Sequence, residues 1–149
     1  MSLEEEIKQT KFRSVYQKAA LNLIYTASWL VGKQQGFFKQ FGITPSQFNI
    51  LRILRGQHPN KISGAEIKSR MLDRNSDIPR LLDRLLKKKL ISKSPCANDK
   101  RAADIIITPD GLDMLGQIDS HLDESEKTNI HLTKEEALQL SQLLDKTRG

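Results

Sequence analysis

From Ile7 to Val31 the apolar positions recur at helical spacing: Phe12, Val15, Tyr16, Ala19, Leu23, Ile24, Ala27, Leu30 and Val31. The pattern predicts one amphipathic helix about 35–40 Å long at 1.5 Å per residue. That exceeds what a small lobe covers, so part of the stripe is expected to meet another subunit. Gly32 and Gly36 are expected to weaken or end the helix, with Phe37, Phe38 and Phe41 as an apolar link onward. Thr44-Pro45 reads as a helix start, a hydroxyl cap followed by a proline at the first helical position. Phe48, Ile50, Leu51 and Leu54 carry that helix to an end near Gly56. His58-Pro59-Asn60 is a turn, and Lys61-Ile62 reads as a very short strand.

The spacing then changes character. Ser63 caps a short helix predicted over Ser63–Met71, with Glu66 completing a capping box. A polar turn leads to a second helix over Ser76–Lys89, with Ser76 as its cap, Asp77 in the first turn and Pro79 at the third position. Ile78, Leu81, Leu82, Leu85 and Leu86 should face the core. Asn75, Ser76, Asp77, Pro79, Arg80, Asp83, Arg84 and Lys87 are left outside. Lys87, Lys88 and Lys89 close the helix at its negative dipole end. Two strands follow, Ile91–Cys96 and Ala102–Thr108, around a turn of polar residues. This is the layout of a helix-turn-helix with a charged wing, which presents one helix to the major groove of DNA.

Beyond the wing, Thr108-Pro109 repeats the cap-plus-proline signal, and Leu112, Leu115, Ile118 and Leu122 form a stripe. Thr133 and Glu136 form another capping box before Leu140, Leu143 and Leu144. Apolar stripes at both ends of the chain are what an intertwined dimerisation layer needs. The fold class is therefore mainly α with a small β-wing, in one domain spanning 1–149. Its winged lobe occupies about 44–108, and interlocking dimerisation helices occupy about 5–35 and 109–147.

Composition supports a compact unit rather than a fibre or a membrane span. A chain of 149 residues buries roughly 68–70% of its unfolded surface. The hydrophobic share of 38% and mean hydropathy of −0.49 suit an elongated helical dimer better than a lone monomer. No apolar run approaches the roughly 18 residues of a membrane helix. The acidic Glu4-Glu5-Glu6 start lacks the order of a signal peptide, and the single cysteine fits a reducing cytoplasm, so a cytoplasmic location is expected. Charge is more informative. Between Arg52 and Arg101 stand 14 Lys/Arg against 5 Asp/Glu, whereas the remainder holds 10 against 13. A basic centre in a chain whose remainder is net acidic predicts one surface that meets a polyanion.

The candidate DNA contacts are Ser63, Arg74, Asn75, Ser76, Asp77, Pro79, Arg80 and Arg84, together with Asp99, Lys100 and Arg101 in the wing turn. Arg80 and Arg84 lie four apart on one helix face, and arginine bridges guanine O6 and N7 bidentately. Asn75, Ser76 and Pro79 would touch neighbouring base edges. Arg101 would enter a narrow minor groove, held by Asp99. A plain amphipathic helix would use the same residues for ion pairs, Asp77 with Arg80 or Arg84 and Asp83 with Lys87. Cys96 is either a redox-sensitive thiol near Lys93, Lys100 and Arg101 or an incidental one. His58, His121 and His131 are too scattered for a metal motif, so no metal or other cofactor is expected. Tyr25, Trp29, Phe37 and Phe41 either line an effector pocket or simply pack. No phosphate-cradling glycine loop or nucleophile with a recognisable partner suggests an enzyme.

Three stretches resemble the multiple-antibiotic-resistance regulator (MarR) family of winged-helix repressors: Ile43–Leu51, Leu81-Leu82-Asp83-Arg84-Leu85, and Asp99-Lys100-Arg101 followed by Ile107-Thr108-Pro109-Asp110-Gly111. The resemblance covers nearly the whole chain. It implies a homodimer with interlocked terminal helices whose two lobes read a pseudo-palindrome in double-stranded DNA. It also implies a small phenolic or amphipathic effector that changes lobe spacing and releases DNA. One departure stands out. The family commonly places glycine after the reading helix, where this chain has Lys89, so the helix is expected to end differently. The rival readings are a winged-helix module for protein contact and a non-specific DNA binder.

Overall fold

The computed structural model describes residues 1–95 and 103–149. Helix α1 (Leu3–Glu6) and helix α2 (Val15–Lys39) replace the single helix expected over Ile7–Val31. Ser2 and Glu5 form a reciprocal capping box around α1, and the chain breaks after it, with Lys8 in the left-handed region at φ 52°. Ser14 starts α2 by accepting from the Gln17 amide at 3.1 Å. The Glu4–Lys18 ion pair and a 2.7 Å bond donated by the Tyr25 hydroxyl to Glu6 fold α1 back onto α2. Lys18 holds Glu4 below the usual carboxylate range, and the Glu6 carboxylate raises the Tyr25 hydroxyl above its ordinary value.

Helix α2 continues through Gly32 and Gly36, where an end was expected. Each glycine costs roughly 1 kcal/mol in a helix, and the anchoring beyond them outweighs that. Phe38 is 2% exposed and stacks on Phe48 at 4.5 Å, with Phe37 edge-on to it at 5.0 Å. Helix α3 (Pro45–Gln57) starts as predicted, Thr44 and Gln47 capping each other's backbone.

A three-stranded antiparallel sheet in the order β1-β3-β2 closes the lobe, with β1 at Ile62–Ser63, β2 at Ile91–Pro95 and β3 at Ala103–Ile107. Ile91 of β2 pairs with Ile107 and Ile62 of β1 with Ile105. Helix α4 (Gly64–Arg70) and helix α5 (Ile78–Lys87) complete the motif, and helix α6 (Pro109–Asn129) and helix α7 (Lys134–Thr147) follow. Ile50, Leu51 and Leu54 of α3 meet Ile67, Leu85, Ile105, Leu115 and Ile118 in one core. The first half of α6 thus belongs to the lobe, fastened also by Arg55 donating to Asp119 at 2.6 Å.

The arms bury little. Val15, Tyr16, Ile24 and Trp29 of α2 are exposed, as are Leu138, Leu140 and Leu143 of α7, which contains no buried residue. Exposed large apolar side chains in such numbers mark a contact site.

Helix α5 ends in a way the sequence argued against. Lys89 adopts φ 59°. Its amide donates to the Leu86 carbonyl at 2.9 Å and the Leu90 amide to the Leu85 carbonyl at 3.1 Å, the full left-handed C-cap motif. Two surroundings enforce it. Leu90 and Ile91 are buried, and the Thr108 hydroxyl donates to the Lys89 carbonyl at 2.8 Å while accepting from the Gly111 amide at 3.1 Å. Gly111 is fixed by the same junction, since a Cβ there would stand 2.3 Å from the Leu90 carbonyl oxygen. A lysine in this region is strained by about 1–2 kcal/mol, partly offset by glycine's larger entropy loss on folding. Lys89→Gly should therefore stabilise the fold by about 0.5–1 kcal/mol, read as a urea midpoint moving upward with an unchanged slope.

Candidate nucleic-acid interface

Helix α5 owes its orientation to three side chains. Ile78, Leu82 and Leu85 are buried, at i, i+4 and i+7, and Leu81 and Leu86 are half-buried beside them. Pro79, Arg80, Asp83, Arg84 and Lys87 are consequently exposed. Among the described residues none of the ion pairs that a plain surface helix would use is formed: the Asp77 carboxylate pairs with neither the Arg80 nor the Arg84 guanidinium, and Asp83 does not pair with Lys87. The arginines stand free on the outer face, four residues apart.

The cap differs by one residue from the sequence reading. Asp77, not Ser76, caps α5, its carboxylate accepting from the Arg80 amide at 3.3 Å, so Pro79 falls at the second helical position. An anionic cap suits the positive helix end, and the shift lets Ile78 open the buried stripe. Ser76, expected outside, turns inward, and its hydroxyl oxygen is buried without a partner. Ser63 caps α4, accepting from the Glu66 amide at 3.1 Å, but the box is only half built because the Glu66 carboxylate pairs with Arg70 at 3.3 Å. Asn75 is exposed, and Arg74 donates to the Ser69 carbonyl at 3.4 Å. The strands end at Pro95 and begin again at Ala103, so Cys96 and the wing residues Asp99, Lys100 and Arg101 lie outside the described residues.

The turn between α4 and α5 is held from beneath by a residue that the apolar pattern concealed. Asn49 is 4% exposed, and its Oδ1 accepts from the Leu72 amide at 2.9 Å. The signal was present: Asn49 precedes the buried Ile53 by one helical turn, which puts it on the apolar face of α3. Within the turn the Asn75 amide donates to Asp73 Oδ1 at 2.9 Å and the Ser76 amide to the Asp73 carbonyl at 3.3 Å. The exposed end of α5 is thus delivered by an ordered segment.

A cleft of about 570 Å³ separates the end of α2 from the far half of α5, lined by Gln35, Lys39, Thr44, Arg84, Lys87 and Lys88 among others. The Lys88 ammonium donates to the Gly42 carbonyl across it. The four aromatics considered for an effector pocket are not gathered there. Phe37 and Phe41 pack together at 5.6 Å, Trp29 lies on the α2 arm under the Lys33 ammonium, and Tyr25 bonds Glu6. Among the described residues no three His, Cys, Asp or Glu side chains gather as metal ligands.

Residues 43–103, from the loop before α3 to the start of β3, match the family model of the MarR family. Over that stretch the winged lobe is similar to MarR-family proteins. Solved structures extend the likeness over the arms. The MarR transcription factor of Planctomyces limnophilus is 28% identical at a TM-score of 0.71, covering 91% of this chain and 98% of that one. The S. aureus MepR–DNA complex is 27% identical at a TM-score of 0.73, covering 92% and 97%. Bordetella bronchiseptica BpsR, whose DNA binding is regulated by 6-hydroxynicotinic acid, is 20% identical at a TM-score of 0.78, covering 89% and 99%. The matched family and fold are those of transcription regulators, and among the described residues no helix is long and apolar enough to cross a membrane.

Asn49→Ala would leave the Leu72 amide unpaired beneath the turn, at a cost of about 1–3 kcal/mol. Urea unfolding should show that loss, and amide exchange at Leu72 should accelerate more than at Ile67.

Proposed function

We propose that the chain is a homodimeric, sequence-specific regulator of transcription, a repressor that reads a pseudo-palindromic site in double-stranded DNA and yields to a small amphipathic effector. The observation that carries this reading is the outer face of α5, where Arg80 and Arg84 are exposed and free of any described carboxylate partner. Asn75, Asp77 and Pro79 at the leading end, with Arg74 before it, complete the proposed base-edge and phosphate contacts. Ser63 is assigned to orient α4 through its cap. Asp99, Lys100 and Arg101 are proposed to grip the adjacent minor groove.

The uncovered stripes of α2 and α7 support dimerisation through the arms, which would set two lobes at a fixed separation. Ligand-regulated DNA binding in BpsR supports an effector, and the basic cleft beside α5 is wide enough for one. The chemistry of regulation needs no catalytic group, and the protein would act in the cytoplasm with its DNA.

Selection of genomic fragments by the purified protein tests the whole reading. Enrichment of a two-fold symmetric site with half-sites about one helical turn apart is expected. Salt-sensitive binding without an enriched sequence would replace it with a non-specific binder, and no binding at low salt would replace it with a protein-contact module. On the enriched site, Arg80→Ala or Arg84→Ala should cost about 1–3 kcal/mol, and less on random DNA. Equal losses on both would confine these arginines to phosphates.

A further inference from the structure

The exposed large apolar side chains divide into two groups of very different size. All but one belong to the two ends of the chain, in residues 1–31 and 130–143. The exception is Leu72, 81% exposed, the one such side chain among the described residues between 32 and 129. It does not sit on a frayed loop. Its neighbour Met71 is 4% exposed and anchors the turn in the core, and its own amide is fixed by the buried Asn49 at 2.9 Å. The turn leads directly into the end of α5 that a helix-turn-helix inserts into the groove. Arg70 and Arg74 flank it two residues on either side.

We infer that Leu72 is a specificity-determining residue, packing its side chain against a thymine methyl in the major groove. The inference rests on the proposed DNA-reading function and extends its surface beyond α5. Thymine C5-methyl is the one apolar group that a base pair displays in that groove, so an exposed aliphatic side chain there selects A·T over G·C. A lone leucine between two arginines is too small a patch for a protein partner, whereas a single methyl matches it in size. Holding the backbone from beneath through Asn49 leaves the side chain free and lowers the entropy lost when it docks.

The test couples a protein change with a DNA change. Anisotropy titrations on the enriched site would compare wild type with Leu72→Ala, and each thymine in turn with uracil, which lacks only the methyl. One uracil position per half-site should weaken wild type roughly fourfold, the value of one buried methyl. Leu72→Ala should weaken binding at least as much on the thymine site and respond to no further loss at that position, with its urea midpoint unchanged. Full additivity at every thymine, or equal weakening on specific and random DNA, would overturn the inference. Failure of wild type to enrich any sequence would instead overturn the underlying reading.

Discussion

The burial of Ile78, Leu82 and Leu85 is the constraint on which the reading surface depends. A ten-residue helix is marginal in water on its own propensity, so α5 exists because its stripe is withdrawn into the lobe. Full burial of each large aliphatic side chain contributes about 1.5–3 kcal/mol, and the same burial fixes the helix's rotation. Once those three residues point inward, Arg80 and Arg84 have nowhere to point but out. Position and charge of the surface therefore follow from packing, not from any contact the arginines make.

Two fasteners keep that helix from sliding. At its leading end Asn49 grips the turn from α3, and Asp77 closes the first turn. At its far end Lys89, Leu90, Thr108 and Gly111 form one junction joining α5, the sheet and α6. The junction is tight enough to hold a lysine in a left-handed conformation, a strain that glycine would avoid. Because Leu115 and Ile118 of α6 share the lobe's core, movement of the α6 arm would carry the lobe with it. This gives the proposed dimer a rigid route from arm geometry to the spacing of its reading helices.

Much of this was legible. The caps at Thr44, Ser63, Thr108 and Thr133, the short first strand, the two wing strands and the apolar face of α5 all follow from local chemistry. The errors share one origin, competition between a local preference and distant packing. Gly32 and Gly36 should end a helix, but Phe38 and its partners on α3 hold it together. Lys89 should avoid the left-handed region, but the buried Leu90 and Ile91 require the turn. Ser76 and Asp77 are both good caps, and the need to bury Ile78 chose between them. In the candidate site, Asn49 and Leu72 escaped notice because a polar residue in an apolar run and an apolar residue in a polar turn each look like noise.

By itself the sequence determined where most helices and strands lie, which face of each is apolar, and that positive charge concentrates in the middle of the chain. Those properties depend on neighbours three or four positions away, which the order of residues supplies. The tertiary structure alone decided which side chains are held and which are free. Asn49 meets Leu72 across 23 positions and Thr108 meets Lys89 across 19, and separations of that size are bridged by folding, not by helical or strand periodicity. The upheld leucine and the left-handed lysine are consequences of those long-range contacts.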